Sequence, residues 1–158
     1  MTAYECFKLA EQIELISQDL YTRLAAHPGT PGPIQKEFLA LAEEEGHHAS
    51  RIRLLASTSR GSPALQDVAR RAGEGLQAVV AELRAALEET AHRRPGDLVT
   101  VLDRLIVLEQ RFSWVHAEAL AGCADPKVAA LFTAMARQDA RHGALLAKAR
   151  HEQQSQGA

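Results

Sequence analysis

Apolar residues recur at alternating spacings of three and four along most of the chain, the period of a helix that buries one stripe. The punctuation between these stretches sets the predicted elements. Thr2-x-x-Glu5 reads as a capping box, and a first helix over about residues 2–26 stops at His27-Pro28-Gly29. Pro33 suits the opening turn of a second helix, about 33–57, which the Ser-Thr-Ser-Arg-Gly run at 57–61 breaks. Ser62-Pro63 starts a third helix, about 63–92, and Arg93-Arg94-Pro95-Gly96 ends it. Asp97 caps a fourth, about 98–121, and Asp125-Pro126 opens a fifth, about 126–151, before a polar tail at 153–158.

The connections are short, so successive helices are expected to run antiparallel. The third helix is long enough to carry the chain back along the whole bundle. The reading is therefore all-α, one domain over residues 1–152. Helices one, two, four and five form a four-helix bundle, with helix three as the crossover.

Each bundle helix has a seam that starts apolar and is then interrupted. Helix one places Phe7, Ala10, Glu14, Ser17, Tyr21 and Leu24 on its seam; helix two places Phe38, Leu41, Glu45, His48, Ile52 and Leu55. Helix four has Leu102, Leu105, Glu109, Phe112, His116 and Ala119, and helix five has Val128, Phe132, Met135, Asp139, His142 and Leu146. The ionisable groups fall near the helix midpoints, so they meet at one level whichever way each helix points.

Four carboxylates buried together as anions would repel one another and lack hydration, a cost that only protons or cations relieve. Two divalent cations balance Glu14, Glu45, Glu109 and Asp139, with His48 and His142 neutral. Oxygen donors with one imidazole per metal suit iron or manganese, with zinc also fitting. An acid and a histidine at i, i+3 share a helix face and can converge on such a pair.

The short motif alone has little weight. With 20 acids and 7 histidines in 158 residues, about one acid-x-x-His pair is expected by chance. The chain has four: Glu44–His47, Glu45–His48, Glu89–His92 and Asp139–His142. Register sorts them. Glu89 and His92 fall off the Leu76, Val80, Leu83, Leu87 stripe and read as a solvated helix end, while Glu44 and His47 are one residue out of register and should flank the site. A repeat sharpens the choice: Glu14 with Tyr21 recurs as Glu109 with His116, and Glu45 with His48 recurs as Asp139 with His142. The two halves read as one hairpin used twice about a pseudo-twofold.

These residues resemble the ferritin-like, rubrerythrin-related di-iron family, whose signature is Glu, Glu-x-x-His, Glu, Glu-x-x-His on four successive bundle helices. Leu41-Ala42-Glu43-Glu44-Glu45-Gly46-His47-His48-Ala49 is similar to its second-helix motif, and Glu14 followed by Tyr21 to its first. The resemblance implies a ferritin-like bundle with two metal ions per chain. Glu14 and Glu109 would be terminal ligands, Glu45 and Asp139 bridging ones, and His48 and His142 one nitrogen for each metal. The chain departs from the family at Asp139, usually Glu, at Phe112, often a further carboxylate, and in lacking a rubredoxin-like domain. Gly46 stands where a bacterioferritin would carry a haem-ligating Met.

Tyr21 and His116 lie seven residues past their carboxylates, roughly 10 Å along the helix. That is too far to share a metal with them; hydrogen bonding to a ligand, lining an oxidant pocket and plain core packing all remain open. Trp114 falls off the seam and should pack on helix three or a second subunit. Cys6 and Cys123 should sit at one end of the bundle as inert thiols.

Charge and composition narrow the function classes. A formal charge of −2 without a basic stripe argues against nucleic acid. No apolar run reaches the ~18 residues of a membrane span, and the N-terminus lacks a signal-peptide pattern, so a cytoplasmic location is expected. The expected activity is an oxidoreductase that reduces peroxide or dioxygen, or oxidises ferrous iron, fed by an external electron donor. The alternatives are a non-catalytic protein of iron handling or sensing, and a bundle with a structural metal. An apolar stripe on helix three (Leu65, Val68, Ala72, Leu76, Val79, Leu83) suggests a homodimer.

Overall fold

The computed structural model describes residues 1–58, 63–92, 98–121 and 125–156. They form five helices and, among the described residues, no strand: α1 (Ala3–Ala26), α2 (Gly32–Thr58), α3 (Pro63–His92), α4 (Leu98–Ala121) and α5 (Pro126–Gln156). No helix is long and apolar enough to cross a membrane among these residues. Expectations that fall on Ser62, Asp97 and Cys123, and on the side chains of Leu65, Val68, Ala72, Glu89, His92 and Ala119, lie outside the described residues.

The helix ends follow from local chemistry. Thr2 Oγ1 accepts from the Glu5 amide at 3.2 Å while the Glu5 carboxylate accepts from the Thr2 amide at 2.7 Å, closing a reciprocal cap on α1. Beyond α1, Thr30 folds back so that its hydroxyl donates to the Leu24 carbonyl at 2.7 Å. That bond satisfies a terminal acceptor of α1 and turns the chain into α2. Asp125 Oδ1 accepts from the amides of Lys127 and Val128, at 2.8 and 3.3 Å, with Pro126 in the first helical position. One boundary differs from expectation: α5 continues through Glu152–Gln156, the segment read as the start of a polar tail. Gln is a good helix former, and the Lys148–Glu152 pair and the Ser155 hydroxyl on the His151 carbonyl both fit a continuing helix.

α1 packs on α2, α4 packs on α5, and α3 lies against both α1 and α4. Cross-helix pairs give the directions. Glu11–Arg53, Glu14–His48 and Tyr21–Phe38 make α1 and α2 antiparallel. Asp103–Arg150, Glu109–His142 and Ser113–Ala136 do the same for α4 and α5. Glu14–His116 and Tyr21–Glu109 run α1 against α4, so α2 and α4 are parallel.

Apolar layers lie on both sides of the bundle midpoint. Phe7 and Phe132 stack with ring centroids 6.4 Å apart towards one end, among Ala10, Ile52 and Met135. Phe38, Leu41, Leu102, Leu105 and Leu146 fill the other. Burying side chains of this size stabilises by about 1.5–3 kcal/mol each, which lets the fold carry a polar midsection. On α3, Leu76, Val79 and Leu83 are buried within the single chain, so that part of the expected dimer stripe is already covered.

Candidate metal centre

The midsection gathers Glu14 from α1, Glu45 and His48 from α2, Glu109 from α4, and Asp139 and His142 from α5. None is more than 2% exposed. Glu11, one turn before Glu14, shows how a buried acid is normally tolerated: Lys8 and Arg53 pair with it and hold its carboxyl low against the opposing push of burial. Among the described residues, the recorded ion pairs of the four midsection acids are with histidines instead.

Donor atoms converge in two groups: Glu14, Glu45 and His48 form one, and Glu45, Glu109 and His142 form the other, each within 4.8 Å. Glu45 belongs to both. Its Oε2 is 3.2 Å from His48 Nδ1 and its Oε1 is 3.2 Å from His142 Nδ1. His48 Nδ1 lies 3.3 Å from Glu14 Oε2, and His142 Nδ1 lies 3.6 Å from Glu109 Oε2. The imidazoles face each other almost in parallel, with centroids 6.0 Å apart.

These separations fit metal binding. Two donors about 2.0–2.2 Å from a shared cation lie roughly 2.8–3.6 Å apart in octahedral or tetrahedral arrangements. Glu14 Oε1, Glu45 Oε1, Glu109 Oε2 and the Nδ1 atoms of both histidines are buried without a hydrogen-bond partner. Orphaned polar atoms of this kind are rare and call for a ligand. The buried Glu/His groups can hold metal ions.

The ring nitrogens that face outward have partners of their own. His48 Nε2 is 2.9 Å from Gln138 Oε1, and His142 Nε2 is 3.0 Å from Glu44 Oε2. With Nε2–H donating to those oxygens, each Nδ1 keeps its lone pair for a cation. Arg51 and Arg141 in turn anchor Gln138 and Glu44. Sequence reasoning missed Gln138 and placed Glu44 only as a flanking residue. The repeat that relates Glu45 to Asp139 also relates Glu44 to Gln138 and was the available signal. His47 is exposed.

Tyr21 and His116 cross to the opposite helix rather than serving their own. The Tyr21 hydroxyl donates to Glu109 Oε1. His116 Nδ1 is 2.6 Å from Asp139 Oδ2, and its Nε2 is 3.6 Å from Glu14 Oε1. Asp139 is buried in the same midsection but belongs to neither donor group; its short side chain is held by His116. Trp114 is exposed and lies over α3 near Gly75, while Cys6 is buried, which pushes its thiol up to about 11.

Where no cation balances these carboxylates, protons do. Burial, and then the charge of Glu45, push Glu14 well above the usual carboxylate range. Burial raises Glu109 to about 7, with the Glu45 charge adding to it and His142 offsetting part. Burial also opposes ionisation of Glu45, yet the facing imidazoles of His142 and His48, 3.2 Å away, outweigh it and hold that carboxyl low. The same carboxylates overcome the burial of the imidazoles, raising His48 to about 10 and His142 to about 11. Burial keeps the Tyr21 phenol protonated, as a donor to Glu109 must be.

Comparison of the chain with models of known protein families, with characterised proteins and with solved structures finds no match.

Proposed function

We propose that the chain is a ferritin-like, rubrerythrin-related protein that holds two iron ions and acts as an oxidoreductase. It reduces peroxide or dioxygen, or oxidises ferrous iron, with electrons from an external donor; a cytoplasmic location is part of the reading. The observation that carries it is the Glu45 carboxylate. One of its oxygens faces each inward histidine nitrogen, and it is shared by two donor groups with one imidazole each.

Five helices with antiparallel α1–α2 and α4–α5 pairs support the ferritin-like arrangement. An iron pair, when bound, supplies the two electrons that peroxide reduction requires. The chain's own residues have separable tasks. Glu14 with His48 and Glu109 with His142 hold one ion each, and Glu45 fixes their spacing. Tyr21 orients Glu109, and the apolar layers around Met135 and Leu41 keep bulk water from the centre.

The test is anaerobic reconstitution with ferrous iron, followed by stopped-flow mixing with peroxide and with dioxygen. Two equivalents of iron per chain, oxidised faster than free ferrous iron in the same buffer, are expected. Iron that binds but is not oxidised faster would replace this reading with iron handling or sensing. Only trace iron after loading would remove it.

A further inference from the structure

The two halves of the centre are built from the same repeat but are not finished alike. His142 Nε2 meets a carboxylate oxygen of Glu44 at 3.0 Å, whereas His48 Nε2 meets the neutral amide oxygen of Gln138 at 2.9 Å. Distances are nearly equal and the partners occupy repeat-related positions, so partner charge is the main difference. A carboxylate accepting from Nε2–H draws the proton towards itself and makes Nδ1 a stronger donor, which an amide does far less. A second difference falls on the same half: the Tyr21 hydroxyl pins Glu109, while Glu14 Oε1 is buried with no hydrogen bond. A ligand already held loses less freedom when it binds.

The geometry points to two inequivalent metal positions, the Glu45–Glu109–His142 position loading first and more tightly than Glu14–Glu45–His48, with Glu44 as the positioning residue responsible. The inference rests on the proposed two-metal reading and adds an order to it. One ion is retained and the other exchanges more readily, so the Glu14–His48 side is where metal enters and leaves. Glu44 sets the affinity of a position it does not touch. Arg141 pairs with one oxygen of Glu44 while the other faces His142 Nε2, which keeps the carboxylate aimed at that ring.

The test is an anaerobic titration of the full chain with Co(II), followed by visible absorption, for the wild type, Glu44→Gln and Gln138→Glu. Glu44 and Gln138 are both partly exposed and the swaps are near-isosteric, so folding is retained and is checked by circular dichroism. The wild type is expected to bind two equivalents in two resolved steps. Glu44→Gln should weaken the tighter step by about 10–100-fold, the range for outer partners of metal-bound histidine, and leave the other step within a few-fold. Gln138→Glu should tighten the weaker step in the opposite direction, which loss of a structural contact would not do.

His142→Ala should remove the tighter step and His48→Ala the weaker one. Two equal wild-type steps, or equal weakening of both by Glu44→Gln, would overturn the inference while leaving the two-metal reading intact. Failure to bind Co(II) in any form would overturn both.

Discussion

The hydroxyl of Tyr21 donates to the Glu109 carboxylate, a bond from the helix carrying Glu14 to the helix carrying His116. His116 makes the return approach, with its Nε2 3.6 Å from Glu14. The hairpins are thus cross-connected at the midpoint by side chains from repeat-related positions.

Tyr21→Phe separates that bond from ring packing, since a phenyl ring preserves the stacking on Phe38, at 6.0 Å between centroids. Loss of a donor to a buried acceptor costs about 1–3 kcal/mol. Chemical denaturation of the chelator-treated protein should record that loss, and metal addition should restore part of it. A change below about 0.5 kcal/mol would assign Tyr21 to packing alone.

Sharing of Glu45 predicts unequal consequences for ligand removal. Glu45→Ala should abolish both equivalents of metal, because the residue serves both donor groups. His48→Ala and His142→Ala should each retain one. Glu89→Ala and His92→Ala should change nothing, by sequence register. Metal analysis of loaded, desalted protein decides; two equivalents retained by Glu45→Ala would remove the shared-carboxylate geometry.

Asp139→Glu adds the methylene that the side chain lacks. The longer carboxylate should reach past His116 towards the ions, so that metal content stays at two equivalents and affinity is equal or higher. Competition with a chromophoric chelator measures it. Loss of metal in this variant would show that the Asp139–His116 pair must keep its present length, 2.6 Å between Oδ2 and Nδ1.

The stability of the metal-free protein and the stabilisation that metal adds should change with pH in opposite directions. Folded Glu109 keeps its proton to about pH 7, where an ordinary carboxyl loses it near 4.5, so the folded chain binds more protons in that window and stability falls as pH rises. His48 and His142 contribute fully below about pH 6.5 and lose that contribution as pH climbs through about 10 and about 11. Chelator-treated protein should therefore melt at steadily lower temperature from pH 5 to 10. Metal must displace those protons, so the stabilisation it adds should grow over the same range. Thermal melts of both forms across that interval check the sign.

The five helices were legible because Pro, Gly and capping residues stand at nearly every break. The Thr2–Glu5 cap and the Asp125 cap form as their side chains dictate. The continuation of α5 past His151 was not, because a polar stretch reads equally as tail or as solvated helix. At the site, Glu14, Glu45, Glu109 and the two histidines stood out as charges on apolar seams, which is a one-helix property. The outer partners were hidden because they are two-helix properties. Glu44 lies one residue off its seam, and only the packing of α2 on α5 brings it to His142 rather than to His48 on its own helix. Asp139 shows the same limit: its register was readable, but its engagement by His116 depends on the length of one side chain.

The sharing of Glu45 also bears on chain topology. Glu14, Glu45 and His48 all belong to the α1–α2 hairpin, so an ion there closes a loop within one hairpin. An ion held by Glu45, Glu109 and His142 joins α2 to α4 and α5 and ties off the stretch that contains the 30 residues of α3. Of the two proposed ions, only that one would crosslink the halves, restricting the unfolded chain much as a long-loop staple does. Stripping it would remove that crosslink and leave the side-chain bonds between the hairpins to act alone, whereas stripping the other ion leaves the crosslink in place.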